Sequence, residues 1–355
     1  MPSDADILNY PPAVLLTDLL RDVSRSFYLT LRVLPAGIRR QIGLAYLLAR
    51  TSDTIADTQI IPVEARLDTL QKFREHILGA TQALPDLKPF VLQGEEKTNA
   101  GSSNSGSRAE RILLTRVEPM LEMLEQFAVT DQELIRTVLS KIIQGQELDL
   151  KRFGGLEPGQ LVALQTELEL DDYIYRVAGC VGEFWTKICR HHVFPRARLD
   201  EKELLERGIR FGKGLQLVNI LRDLPSDLRQ GRCYIPQPLL EAGGLTPKEL
   251  LHPANETKFR PVYDRLLESA QEHLAAGWAY TNALPRGCIR LRLACAWPIL
   301  IGVQTIVKLK KEPVLQSEHR VKVSRSEVKR LVLQTTCALA WPPAWRRLFT
   351  NASRS

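Results

Sequence analysis

The 355-residue chain lacks the cysteine patterns of a secreted scaffold or a zinc-bound domain. Its six cysteines form no CxxC pair and no disulfide-framework spacing, which favours a reducing, cytosolic compartment. The N-terminus carries acidic residues where a signal peptide would carry basic ones, and it has no adequate apolar h-region. No secretion signal is therefore predicted.

Long apolar runs and strand patterns are also missing. The most apolar stretch, Leu293–Val307, is shorter than the about 20 residues that cross a bilayer and contains Pro298, so we interpret it as a buried helix rather than a transmembrane anchor. Alternating β-branched runs are scarce, whereas apolar residues recur at helical spacing in most long segments. An all-α fold is therefore predicted.

The charge distribution favours an anionic partner. The net charge is +7, and basic residues concentrate late in the chain, where aromatic residues do not alternate with them in a way that favours nucleic acid. Phosphorylated substrates or an anionic membrane surface therefore fit better. The clearest compositional break is the Gly- and Ser-rich segment 94–107. We predict that it is a flexible insertion within one domain spanning residues 1–355.

The segment from Pro35 to Asp57 predicts a helix with a polar face. A proline suits the first turn of a helix, and the following residues are mostly apolar and compatible with helix formation. Tyr46, Arg50, Asp53 and Asp57 follow one another at steps of four, three and four, which places these four residues on one face.

A second segment, GLQLVNILRDLPSD, repeats this arrangement. Gln216, Asn219, Asp223 and Asp227 lie at steps of three, four and four in a strongly apolar stretch, beside Arg222. Because proline cannot donate a backbone hydrogen bond, Pro225 predicts a kink or the end of the helix.

Two carboxylates one turn apart on each of two helices suit a site that holds several Mg²⁺ ions against a diphosphate. Arg50 and Arg222, one in each motif, would bind phosphate oxygens. The alternative for a single DxxxD is a helix cap or a surface salt bridge. Because the motif occurs twice, each time with an aligned arginine, the metal site is the favoured interpretation.

Four separated motifs resemble the squalene and phytoene synthase family, the head-to-head isoprenoid synthases. They are SRSFYLTLRVLP (24–35), ARTSDTIAD (49–57), DDYIYRVAGCVGEFW (171–185) and QLVNILRDLPSDLRQGRCYIP (216–236). The resemblance implies one isoprenoid synthase domain around a central cavity, with the carboxylate helices facing each other at its mouth. Ser226 departs from the pattern, which often has an acidic residue there.

The resemblance also implies roles for individual residues. Ser24, Arg25, Phe27 and Arg50 would bind substrate diphosphate together with Gln216, Asn219 and Arg222. Asp53, Asp57, Asn219, Asp223 and Asp227 would hold Mg²⁺, and Tyr46 and Tyr173 would complete the catalytic set. Gly179 and Gly182 would let a prenyl chain approach the backbone, the alternative being that Tyr173 is a core aromatic and that the glycines serve helix packing.

The late part of the chain resembles squalene synthases more than non-reductive members. LACAWPILIGVQTIVKLKK (293–311) is similar to their Cys-Ala-x-Pro helix, and RVKVSRSEVKR (320–330) to a basic segment associated with NADPH. Cys295, Pro298, Lys322 and Arg325 are the implied cofactor residues, outside any Rossmann fold because no GxGxxG follows a strand. The basic run has an equally favoured alternative, a solvated helix face.

The implied function is squalene synthase, a Mg²⁺-dependent farnesyl-diphosphate farnesyltransferase that reduces presqualene diphosphate with NADPH. A non-reductive synthase of phytoene, dehydrosqualene or presqualene diphosphate is the alternative. A non-catalytic helical assembly factor is a third hypothesis, against which the intact aspartates argue. Near the C-terminus, Trp341, Trp345 and Phe349 accompany Arg346 and Arg347, which favours either peripheral contact with a membrane or a helix packed on the domain.

Overall fold

The computed structural model describes residues 15–24, 27–92, 105–157, 159–315 and 320–354. The predicted insertion at 94–107 falls largely outside them. The described residues are almost entirely helical, which confirms the predicted all-α fold. They form two compact units, residues 1–155 and 156–355, and a single domain over 1–355 stays a prediction.

The first unit is built around one long buried helix. Its helices are α1 (Leu20–Ser24, preceded by a π-helical turn at Leu15–Leu19), α2 (Tyr28–Val33), α3 (Ala36–Asp57), α4 (Val63–Ile77), α5 (Ser105–Thr115), α6 (Val117–Glu125) and α7 (Val129–Phe153). Helix α3 begins directly after Pro35, as predicted, and Ile38, Leu44 and Leu48 are fully buried. Helices α4 and α7 pack against it and against each other.

The second unit contains the remaining helices and one short strand pair. Its elements are β1 (Val162–Ala163), α8 (Glu167–Ile174, followed by a π-helical turn at Tyr175–Gly179), α9 (Cys180–His192), α10 (Glu201–Arg229), β2 (Arg232–Cys233), α11 (Gln237–Ala242), the 3₁₀ turns Pro247–Leu251 and Pro253–Asn255, α12 (Glu256–Ala283), α13 (Ile289–Lys311), α14 (Arg325–Ala338) and α15 (Pro342–Arg354). Strands β1 and β2 pair in parallel, with Val162 opposite Arg232.

Local sequence signals fix several of these helix starts. At the start of α8, the Thr166 side chain accepts a hydrogen bond from the Glu169 backbone amide at 3.1 Å. At the start of α10, the Asp200 side chain accepts one from the Glu203 backbone amide at 3.0 Å. At α14, Ser324 and Glu327 form a reciprocal capping box. These caps satisfy amide groups that the first turn of a helix otherwise leaves unpaired.

Helix α13 contains the apolar stretch that we predicted to be a buried helix, and the structure confirms that interpretation. Among the described residues it is the one helix long and apolar enough to cross a membrane by length and composition. However, 67% of its most apolar window is buried inside the protein, against α12 and α10. By these contacts, α13 is a core helix of the second unit.

Candidate active site

The first aspartate motif belongs to a charged network on α3. The Arg50 side chain donates to Glu110 on α5 at 2.6 Å, and its other terminal nitrogen lies 3.7 Å from Oδ2 of Asp53. On the opposite side, the Gln146 amide of α7 donates to Oδ1 of Asp53 at 2.5 Å. Gln146 therefore holds Oδ1 by a hydrogen bond, whereas Arg50 lies at ion-pair distance from Oδ2.

Asp53 has a raised pKa. Enclosure by the protein, and then repulsion from Asp57 one turn later, raise the pKa of Asp53 to about 6, although Arg50 and Gln146 oppose the shift. The side chain nevertheless keeps 46% of its accessible surface, so it is surrounded by protein atoms without being sealed from solvent. Two carboxylates that disfavour each other's charge form a suitable place for a cation.

The predicted diphosphate-binding residues before α3 lie close to Tyr46. The Phe27 and Tyr46 rings stack with centroids 5.6 Å apart, and the Tyr46 hydroxyl lies 3.5 Å from the Val23 carbonyl at the end of α1. Ser24 is buried, and its hydroxyl has no hydrogen-bond partner among the described residues. Arg25 lies outside the described residues.

The second motif lies on α10 and has the opposite electrostatics. Arg222 donates to both oxygens of Asp223, at 2.9 and 2.8 Å, and Arg320 also contacts both oxygens. Although burial acts in the other direction, these two guanidinium groups lower the pKa of Asp223. Gln216 and Asn219 precede it on the same helix and are partly buried.

Pro225 does not end helix α10, which continues to Arg229, so the part of the prediction that ended the helix there is wrong. A proline at this position cannot donate to the carbonyl of Leu221, its partner four residues earlier. The hydroxyl of Tyr263 on α12 donates to that carbonyl at 2.9 Å instead. A side chain from a neighbouring helix therefore replaces the missing backbone donor within the turn that carries Asp223.

Tyr173 is buried at the C-terminal end of α8 and has an aromatic partner. Its ring stacks on Tyr234 with centroids 4.9 Å apart, and the two hydroxyls lie 3.5 Å from each other. Tyr234 directly follows β2, and Gly231 directly precedes that strand. This glycine has φ +79°, and an added Cβ would lie 2.6 Å from the Gln160 carbonyl. The paired hydroxyls form a small polar group within an aromatic environment.

The glycines of this region serve helix packing. A Cβ on Gly182 would lie 1.9 Å from the Gly208 carbonyl on α10, and one on Gly179 would lie 3.2 Å from the Lys213 side chain. The hypothesis that these glycines line a prenyl chain is therefore replaced by its alternative, because the backbone of α10 and its side chains fill the space. Arg176 forms a salt bridge with Asp172 at 2.8 Å.

The implied cofactor residues lie in different environments. Lys322 and Arg325 are exposed, and Pro298 is partly buried. Cys295 is fully buried within α13, and burial raises its pKa, so its thiol is a packing group that does not reach the surface. Lys308 donates to the Lys322 carbonyl at 3.1 Å and thereby connects the basic segment to α13.

Helix α15 packs on the second unit through its aromatic residues. Trp345 is 3% exposed, its ring centroid lies 5.3 Å from that of Trp278, and Phe349 stacks on the same Trp278 ring. Trp341 is 64% exposed. Of the three aromatic residues considered for membrane contact, Trp341 is therefore the one that the described structure leaves open.

Sequence reasoning missed four residues that contact the predicted site: Glu110, Gln146, Tyr234 and, as a partner of Asp223, Arg320. Each is distant in sequence from the residue it contacts. Tyr234 had a signal, because it lies within the family motif at 216–236. Glu147, the residue after Gln146 on α7, pairs with Arg74 on α4 at 3.1 Å and links α7 to α4.

Comparison with known proteins agrees with the fold and the motifs. The family model described as squalene/phytoene synthase matches residues 20–327. Squalene synthase of Saccharomyces cerevisiae is 28% identical over 260 residues, which cover 72% of this chain and 53% of the yeast protein. Presqualene diphosphate synthase of Rhodopseudomonas palustris is 27% identical over 265 residues, covering 75% of this chain and 77% of the relative.

A solved structure shares the fold. The complex of TcSQS with the ligand BPH1237 superposes with a TM-score of 0.71 at 21% identity, and the match covers 97% of this chain and 98% of that one. This chain spans about half the length of the yeast relative. Because the family model covers most of the sequence, the chain belongs to the squalene/phytoene synthase family.

Proposed function

We propose that this enzyme joins two farnesyl diphosphates head to head to presqualene diphosphate and reduces this product with NADPH to squalene. The observation that carries the first half is the Asp53 and Asp57 pair, whose mutual repulsion contributes to the raised pKa of Asp53 while Asp53 stays open to solvent. The side chains present there fit Mg²⁺, which prefers carboxylate and phosphate oxygens. When bound, the metal would neutralise the charge that develops on the departing diphosphate.

The protein's own groups would bind and orient the substrate. Arg50, fixed by Glu110, supplies a guanidinium beside Asp53. The buried Ser24 hydroxyl, which has no hydrogen-bond partner within the described ranges, supplies a further polar group. Arg222 supplies a second guanidinium on the other motif, where it is already paired with Asp223. At that motif a cation would compete with Arg320 for the same carboxylate.

Tyr173 is proposed to act in the first half-reaction. Its hydroxyl lies 3.5 Å from that of Tyr234 and its ring is stacked, so the group is held in one orientation. A phenol in this position can hold or pass a proton near the reacting diphosphate. We expect Tyr173→Phe to impair formation of presqualene diphosphate, and Tyr234→Phe, which preserves the stack, to impair it less.

The reductive half rests on the exposed basic residues Lys322 and Arg325, which could bind the phosphates of NADPH. The second candidate is an enzyme that stops at presqualene diphosphate. It is favoured by the similarity to the Rhodopseudomonas palustris protein, of which this chain covers 77%.

Incubation with radiolabelled farnesyl or geranylgeranyl diphosphate and Mg²⁺, with and without NADPH, tests both. Squalene formed only with NADPH supports the first candidate, and presqualene diphosphate under both conditions supports the second. A product made from geranylgeranyl diphosphate instead would reject both. Asp53→Asn and Asp223→Asn should each abolish diphosphate release with the circular dichroism spectrum unchanged. Near-normal rates in either variant would reject the metal-cluster hypothesis.

A further inference from the structure

Gln146 makes a polar link between α3 and α7. Its amide nitrogen donates to Asp53 at 2.5 Å near the C-terminal end of α3, and the Gln41 amide donates to Asp131 at 3.0 Å near the start. The two contacts follow the same order along both helices. They therefore fix the register of α7 on α3 from both ends.

Packing alone does not explain a glutamine at position 146. It is 8% exposed, and its amide oxygen is buried without a hydrogen-bond partner among the described residues. A buried unpaired acceptor lowers stability, whereas methionine fills a similar volume without that penalty. Its benefit therefore lies in the hydrogen bond that its nitrogen donates to Asp53.

That bond determines which oxygen of Asp53 is available. Gln146 occupies Oδ1, while Arg50 approaches Oδ2 only to 3.7 Å, a distance beyond a direct hydrogen bond. A carboxylate fixed through one oxygen presents the other in a defined direction, on the helix face that also carries Asp57. Without the amide, the Asp53 side chain could rotate toward Arg50.

We propose that Gln146 is a positioning residue for cation binding: its amide orients the Asp53 carboxylate so that Oδ2 is presented to a divalent cation. This inference rests on the proposed cation site at Asp53 and Asp57. Removal of a hydrogen bond to a metal-ligating side chain typically weakens metal affinity by about 10–100-fold. We expect a loss of about tenfold for Gln146→Met.

The test is titration of the full chain with Mn²⁺ alone, followed by loss of the free-ion electron paramagnetic resonance signal. Gln146→Met should need about tenfold more Mn²⁺ for half-saturation. Gln41→Met is the matched control, because it removes the same type of amide-to-carboxylate bond from the same helix pair, away from Asp53. It should leave Mn²⁺ binding unchanged even if its melting temperature falls equally.

Gln146→Asn is the second variant, in case Gln146→Met does not fold. It keeps an amide group, but its side chain is one methylene shorter, so the amide lies farther from Asp53. This variant should also weaken Mn²⁺ binding. Wild-type affinity in the folded variants, or an equal loss in Gln41→Met, would overturn the inference. Asp53→Asn separates the two hypotheses: if it binds Mn²⁺ like the wild type, the proposed cation site itself is rejected.

Discussion

The most direct test of how the second motif is built is a double-mutant cycle on Tyr263 and Pro225. In the wild type, the Leu221 carbonyl has no helical donor because residue 225 is a proline, and the Tyr263 hydroxyl takes that place at 2.9 Å. Tyr263 is fully buried, so water cannot substitute. Tyr263→Phe removes only the hydroxyl and retains the ring packing against Phe259.

The expected cost follows from the buried carbonyl that is left without a donor. Leaving such a group unpaired costs about 1–3 kcal/mol, so Tyr263→Phe should lower the free energy of unfolding by about 2 kcal/mol. In a Pro225→Ala background, the restored amide of residue 225 bonds to the same carbonyl. The tyrosine then contributes only a second bond, and its loss should cost about 0.5–1 kcal/mol.

Urea unfolding followed by far-ultraviolet circular dichroism measures all four variants. Tyr280→Phe is the control, because Tyr280 is also fully buried but its hydroxyl lies 3.3 Å from the Thr186 side chain. Its cost should be independent of residue 225 to within about 0.5 kcal/mol. An equal cost of Tyr263→Phe in both backgrounds would refute the idea that this tyrosine compensates for the proline.

Three further predictions concern charge, thiol reactivity and surface. Arg320→Gln frees the Asp223 carboxylate from one of its two arginines. The Mn²⁺ concentration for half-saturation should therefore fall in the titration described above. An unchanged or higher value would contradict competition between Arg320 and a cation. At pH 8, iodoacetamide should label the exposed Cys337 first and leave Cys233 unmodified. Burial raises the pKa of Cys233 to about 12 and keeps its thiol protonated. If mass spectrometry finds Cys233 labelled in the native protein, the burial of this thiol is contradicted. Trp341→Ser should reduce co-flotation of the protein with anionic phospholipid vesicles. Leu333→Ser is the comparison variant, because Leu333 is 65% exposed but has no aromatic ring. Wild-type protein that does not float would exclude membrane contact of this surface.

The two aspartate motifs show what the spacing of residues along a helix can predict and what it cannot. Their spacing on a helix face follows from 3.6 residues per turn, and α3 and α10 bear it out. Their sequences predict equivalent carboxylates. The structure gives them opposite pKa shifts, because Asp53 lies beside Asp57 whereas Asp223 is held by two arginines.

The helical class, the buried character of α13 and the family could be predicted from the amino-acid sequence, because these depend on periodicity, apolar content and contiguous motifs. The groups that complete each motif could not, because they come from helices distant in the chain. Gln146 lies 93 positions from Asp53, Arg320 lies 97 from Asp223, and Tyr263 lies 42 from Leu221. Such contacts depend on which helix faces meet, and short-range periodicity carries no information about that choice. For the same reason, the sequence around Pro225 does not show that α10 continues to Arg229 or that the Tyr263 hydroxyl donates to the Leu221 carbonyl.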